Sequence, residues 1–89
     1  GWKLSDVDIF EVNEAFSSQS IATISELGLD GERVNIHGGA IAIGHPLGAS
    51  GARILGQAAS LLQSTPGSRA MALMCIGGGM GIGVAIERL

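Results

Sequence analysis

Arg69-Ala70-Met71-Ala72-Leu73-Met74-Cys75-Ile76-Gly77-Gly78-Gly79-Met80-Gly81-Ile82-Gly83-Val84-Ala85-Ile86 is the stretch on which the fold turns. Residues 69–76 form a continuous apolar run, the pattern of a strand in a sheet covered on both faces. Beyond the glycines, Ile82, Val84 and Ile86 alternate with smaller residues, which predicts a last strand. So short a connection joins antiparallel neighbours, because a parallel return needs a crossover of about a dozen residues.

Working back from that hairpin, Thr65-Pro66-Gly67 predicts a turn, and before it lies a helix of roughly residues 47–62. Ala49, Ala52, Ile54, Leu55, Ala58, Ala59, Leu61 and Leu62 surround this helix, and Arg53 is its only charge. A helix apolar on most sides is buried on most sides, so it is expected between two layers, one of them not supplied by this chain. Val34 to Ile43 reads as an extended, glycine-broken strand running into a loop at His45. Asp30-Gly31-Glu32 is a turn. An earlier helix is expected to start from Asn13 as its cap, with Glu14 in its first turn, and to run through Phe16, Ile21, Ile24 and Leu27 to a stop at Gly28. Asp8 to Val12 is a short β-rich run. The order strand–helix–strand–helix–strand–strand, with the last strand antiparallel, is an α/β pattern.

Eighty-nine residues suffice for one small domain, residues 1–89. The composition is 46% hydrophobic and only 15% charged, with mean hydropathy +0.42. A free-standing domain of this size needs more polar surface, so part of the surface is expected to be covered by protein outside this chain. The chain starts at Gly1 on Gly-Trp-Lys-Leu-Ser-Asp and reads as a segment of a longer polypeptide. Net charge −3 and five scattered basic residues give no footprint for nucleic acid or an anionic membrane. One cysteine excludes an internal disulfide and suits a reducing, cytoplasmic setting. Arg53, Gln57 and Gln63 interrupt the longest apolar stretch, so none reaches transmembrane length.

Two reactive side chains sit among glycines. His45 lies in Gly44-His45-Pro46-Leu47-Gly48, where the proline biases it towards an extended or turn conformation at the mouth of the long helix. Cys75 closes the apolar strand, and Gly77-Gly78-Gly79 after it offers backbone N–H groups for a developing oxyanion. A nearby imidazole could exchange a proton with the thiol. Each has a structural alternative: a histidine satisfied in a loop, an inert buried thiol. Asn13 reads equally as a helix cap or as an amide orienting a water or a carbonyl oxygen. No Gly-Lys-Ser/Thr occurs, so the glycines are not a P-loop, and their spacing does not fit a dinucleotide fingerprint. His37, His45 and Cys75 lack recognised metal-ligand spacing, and no metal site is expected.

Val12-Asn13-Glu14-Ala15-Phe16, the block from Gly38 to Arg53, and Cys75 to Gly81 together resemble the three C-terminal signature motifs of thiolases. The resemblance covers nearly the whole chain, in order. It implies part of a thiolase half-domain and acyl transfer between CoA thioesters by Claisen condensation or thiolysis, in a setting such as fatty acid metabolism. It implies that His45 activates a nucleophile, that Cys75 is the acid/base for the α-proton of acetyl-CoA, that Asn13 holds a water in one oxyanion hole and that Gly77 N–H serves a second. Coenzyme A thioesters would be substrates, with no separate cofactor, and the full-length protein would be a homodimer or homotetramer. The nucleophilic cysteine and the loop gripping CoA have no counterpart here, so the chain alone is expected to be inactive. With a family sheet order of 3-2-1-4-5 and a chain starting at strand 2, a gap is expected between the first strand and the apolar one. The alternatives are a non-catalytic CoA-binding or dimerising remnant, and a structural α/β module whose cysteine and histidine never meet.

Overall fold

A computed structural model describes residues 1–89. Three strands form one sheet in the order β1 (Ile9–Val12), β2 (Arg69–Gly77), β3 (Met80–Glu87). β1 runs parallel to β2, with Ile9 opposite Ala70 and Val12 opposite Leu73. β3 returns antiparallel along β2, as the short glycine connection requires. Helices α1 (Ser17–Leu27), α2 (Ala40–Ile43) and α3 (Ser50–Ser64) lie between β1 and β2 in sequence.

The β1–β2 pairing corrects the expected gap. Asp8 N–H donates to Arg69 O and Asn13 N–H to Leu73 O, so the ladder is closed at both ends. No strand stands between them.

The stretch from Val34 to Ile43 is not a strand. A single parallel bridge joins Val34 to Phe10. Asn35 then takes a left-handed conformation at φ +48° and turns the chain away. Its side chain replaces the missing backbone: Val12 N–H donates to Oδ1 at 2.8 Å, and Nδ2 donates to Val12 O at 2.8 Å. Asparagine tolerates this conformation because its short amide can bond locally. Residues 40–43 coil into α2 instead.

α1 begins at Ser17 rather than at Asn13, which continues β1 and caps nothing. Glu14 is likewise outside the helix. α1 ends as the glycine predicts: Gly28 lies at φ +61°, and the N–H groups of Gly28 and Leu29 reach back to Ser25 O and Ile24 O.

α3 packs on one face of the sheet, where Ala58 meets Ile9, Leu61, Leu62 and Ala70. Ala58 and Ala70 are fully buried, and their small side chains let helix and sheet come close. Val7, Phe10 and Val12 form a second cluster with Leu29, Val34, Met71 and Leu73. α3 buries only one side, through Ser50, Ile54, Ala58, Leu61 and Leu62. The second layer expected around it is not supplied by this chain. Only 15 of 89 residues are buried, and Phe16, Ile21, Ile41, Ile43, Leu47 and Met80 are largely exposed, as the apolar composition anticipates.

Candidate active site

β1 and β2 run parallel, so their C-terminal ends open on the same side, where ligands of α/β sheets usually bind. Asn13 stands at the end of β1 and Cys75 near the end of β2. Side chains alternate across a strand. Ile9 packs against α3, so Asn13 belongs to that face. Met71 and Leu73 pack with Phe10 on the other, so Cys75 belongs to the α1 face.

His45 reaches the strand end through a short, well-held loop. Gly44, at φ +89°, ends α2, and its carbonyl accepts from Arg53 Nη2 at 2.8 Å. Pro46 O then accepts the N–H groups of Ala49 and Ser50 and starts α3. This start lies later than the expected residue 47, because residues 47–49 are spent on the turn. Ser50 is fully buried, and its hydroxyl donates to Pro46 O at 3.1 Å. The same oxygen lies 2.5 Å from His45 Nδ1. A hydroxyl that has given its proton to a carbonyl must accept from the imidazole, so Nδ1 carries the hydrogen and Nε2 the free lone pair. Asn13 Nδ2 donates to that nitrogen at 3.5 Å, a long bond that leaves Nε2 open to a shorter partner.

Glu14 explains another part of the motif. Its carboxylate accepts Ile41 N–H at 3.2 Å at the start of α2, so it serves a helix N-terminus it was not expected to meet. Gly39 is required by that approach, since a Cβ there would collide with the Glu14 carboxyl.

Cys75 is half-buried and pairs with Gly81 across the hairpin. Its thiol points to Gln19 Oε1 at 3.8 Å, and Gln19 Nε2 in turn donates to Thr23 Oγ1 at 3.4 Å. These residues line a cavity of about 390 Å³ with Gly79, Met80 and Gly81. No hydrogen bond joins Cys75 to His45; the pair approaches the strand ends from opposite faces of the sheet. Gly77 lies at φ +91° beside a bulge after Cys75. Gly78 and Gly79, at +60° and +72°, form the two-residue turn with positive φ that suits a tight hairpin. Part of the glycine run therefore serves the turn.

His37 is an exposed loop residue whose Nδ1 meets Gln57 Nε2 at 2.9 Å. No group of three or more His, Cys, Asp or Glu is placed to hold a metal. Four contributors escaped the sequence reading: Glu11, Gln19, Asn35 and Ser50. Ser50 had a legible signal, four residues after Pro46 and at the start of a helix, where its hydroxyl can reach back to the Pro46 carbonyl. Gln19 lies one turn before Thr23 on α1, but nothing local ties it to a cysteine far along the chain.

Glu11 is buried, at 4% exposure, with Oε1 unpartnered. Burial pushes its carboxyl up to about 7, and the charge of Glu14 adds to the effect.

An imidazole whose Nε2 keeps its lone pair, an amide beside it and a thiol at the next strand end stand at one end of an α/β scaffold. A family model for the thiolase C-terminal domain matches residues 1–88. The chain belongs to the thiolase family, as a C-terminal domain. It is 58% identical over 88 residues to the cytosolic acetyl-CoA acetyltransferase of Rattus norvegicus, covering 99% of this chain and 22% of that protein. It is 52% identical over 89 residues to the acetyl-CoA acetyltransferase of Escherichia coli K12, and 51% to that of Shinella zoogloeoides, in each case covering 23% of the relative. The chain thus spans less than a quarter of the length of these relatives. No helix is long and apolar enough to cross a membrane.

Proposed function

We propose that this chain carries the acid/base half of a thiolase site, which moves an acyl group between a cysteine thiolate and the α-carbon of acetyl-CoA. The observation that carries this reading is the His45 arrangement: Ser50 holds Nδ1–H, and Asn13 lies beside Nε2, which keeps its lone pair. In the condensation direction, Nε2 takes the proton of a nucleophilic thiol supplied by another part of the polypeptide. That thiolate attacks an acyl-CoA and forms an acyl-thioester, and the departing CoA thiolate takes the proton of Cys75, which is left as thiolate. Cys75 then removes the α-proton of acetyl-CoA and is a thiol again; the carbanion attacks the acyl-thioester, and the departing nucleophile thiolate takes back its proton from His45 Nε2. Asn13 holds the water of one oxyanion hole with His45, and Gly77 N–H serves the other. Coenzyme A thioesters are the substrates, and no separate cofactor takes part.

The cytosolic rat relative and the single cysteine support a cytoplasmic location, and a role in fatty acid metabolism follows from the same chemistry. The full-length polypeptide works as a homodimer or homotetramer on this reading. The isolated chain has no turnover, because it lacks the nucleophile.

The test is thiolysis of acetoacetyl-CoA, first on the chain alone and then on a chimera in which it replaces the matching residues of the Escherichia coli relative. The chain alone is expected to be silent and the chimera active. Cys75→Ala and His45→Ala are each expected to lower kcat in the chimera by about 10²-fold or more. Turnover by the isolated chain above its own Cys75→Ala control, or a chimera indifferent to both substitutions, would sink the reading.

A further inference from the structure

Two buried oxygens near the site have no partner in the protein: Glu11 Oε1 and Asn13 Oδ1. The residues are 4% and 1% exposed. They lie two apart on β1, on the face turned to α3, and both line one cavity of about 220 Å³ between β1, the loop before α2, and α3. Buried polar atoms are nearly always satisfied, and the polar neighbours here are committed elsewhere. Asn35 gives its amide to Val12. Gln57 meets His37, and Arg53 donates to Gly44 O. None of them bonds to Glu11 or Asn13.

We propose that Glu11 is a positioning residue: its carboxyl and Asn13 Oδ1 together anchor an ordered water in this cavity, which holds the Asn13 amide with Nδ2 turned to His45. No hydrogen bond joins the two oxygens, and a water that accepts the carboxyl proton and donates in turn to Asn13 Oδ1 satisfies both. The cavity has room, since a water takes only about 30 Å³. The charged and titratable groups around Glu11 are Glu14, which repels a second negative charge, and Arg53 and His37, which line the cavity without pairing with it. A carboxyl so placed keeps its proton to about pH 7 and can give it to the water. Without that anchor the Asn13 amide can turn over and present its oxygen, an acceptor, to the lone pair of Nε2.

The kinetic arm of this proposal rests on the acyl-transfer reading; the structural arm does not. In the full-length polypeptide, Glu11→Gln and Glu11→Leu are compared with the parent by the side-chain ¹H–¹⁵N signals of Asn13 and by kcat and KM. The glutamine still offers a donor, so it is expected to keep the Asn13 signals and kcat. The leucine is expected to broaden or shift those signals and to lower kcat roughly tenfold with little change in KM, a loss confined to the transition state. Unchanged Asn13 signals and kcat in the leucine variant overturn the proposal. If the leucine variant does not fold, Glu11→Met is read in its place, and unchanged Asn13 signals and kcat there overturn the proposal. Perturbed Asn13 signals in an enzyme without acyl transfer would uphold the role of Glu11 and sink the acyl-transfer reading alone.

Discussion

At the scale of single residues, the tautomer of His45 is set by a serine five positions away. Ser50 is fully buried and spends its own proton on Pro46 O, so its lone pairs are what the imidazole meets. Ser50→Ala removes the acceptor for Nδ1–H and frees the ring to change tautomer. A general base contributes about 10²–10⁴-fold, so kcat for thiolysis in the chimera is expected to drop about 10- to 100-fold while KM stays near its original value. Asn35 is the other residue whose role exceeds its appearance. Asn35→Ala deletes two 2.8 Å bonds and leaves both backbone groups of buried Val12 bare. At about 1 kcal/mol for each bond, urea unfolding should show a loss of about 2 kcal/mol. The sequence showed His45 and Cys75 because imidazole and thiol are conspicuous among glycines. It could not show Glu11, whose importance comes from a burial that only the packing of α3 creates.

At the scale of elements, the hairpin and the long helix were legible, and the middle of the chain was not. The β2–β3 hairpin declares itself through an apolar run, a glycine turn and an alternating return, and each signal is local. Gly79→Ala puts a side chain at φ +72° and is expected to cost about 1–2 kcal/mol, measurable as a lowered unfolding midpoint without loss of the sheet by circular dichroism. The segment after Val34 misleads because its residues suit a strand, yet Asn35 turns the chain and supplies the β1 edge from its side chain. Asn13 misleads in the opposite sense. It has the chemistry of a helix cap, but the β1 ladder claims its N–H before any helix can begin. Glu14 likewise serves α2 rather than α1, a contact 27 residues away in sequence. Gly39→Ala would displace its carboxylate, with a loss of about 1 kcal/mol, as for a lost helix cap.

At the scale of the whole molecule, two carboxyls set opposite pH responses. Glu11 titrates near 7 when folded against an ordinary 4.5, so between those values the folded state holds more protons than the unfolded chain. Stability is therefore expected to fall as pH rises from about 4.5 to about 7 and then to level off. At about 1.4 kcal/mol for each unit, the whole change is about 3 kcal/mol. Urea titrations across that range should show the slope, and Glu11→Gln should abolish it. Asp8 works in reverse. Its carboxylate accepts Arg69 N–H at 3.0 Å and Ser68 N–H at 2.8 Å, which hold it below its ordinary 3.8. That contribution is present above 3.8 and lost as pH falls through the folded value.

The two rims of the sheet are not equivalent. On the β1 rim, Asn35 consumes the carbonyl of Phe10 and both backbone groups of Val12. β3 has no neighbour beyond it, and the side of its backbone turned away from β2 has no strand partner from Met80 to Glu87. A bare rim of this length is a template for foreign strands. One amide side chain thus makes the sheet one-sided: a visiting strand, whether from a stray aggregate or from a natural companion, can dock only alongside β3.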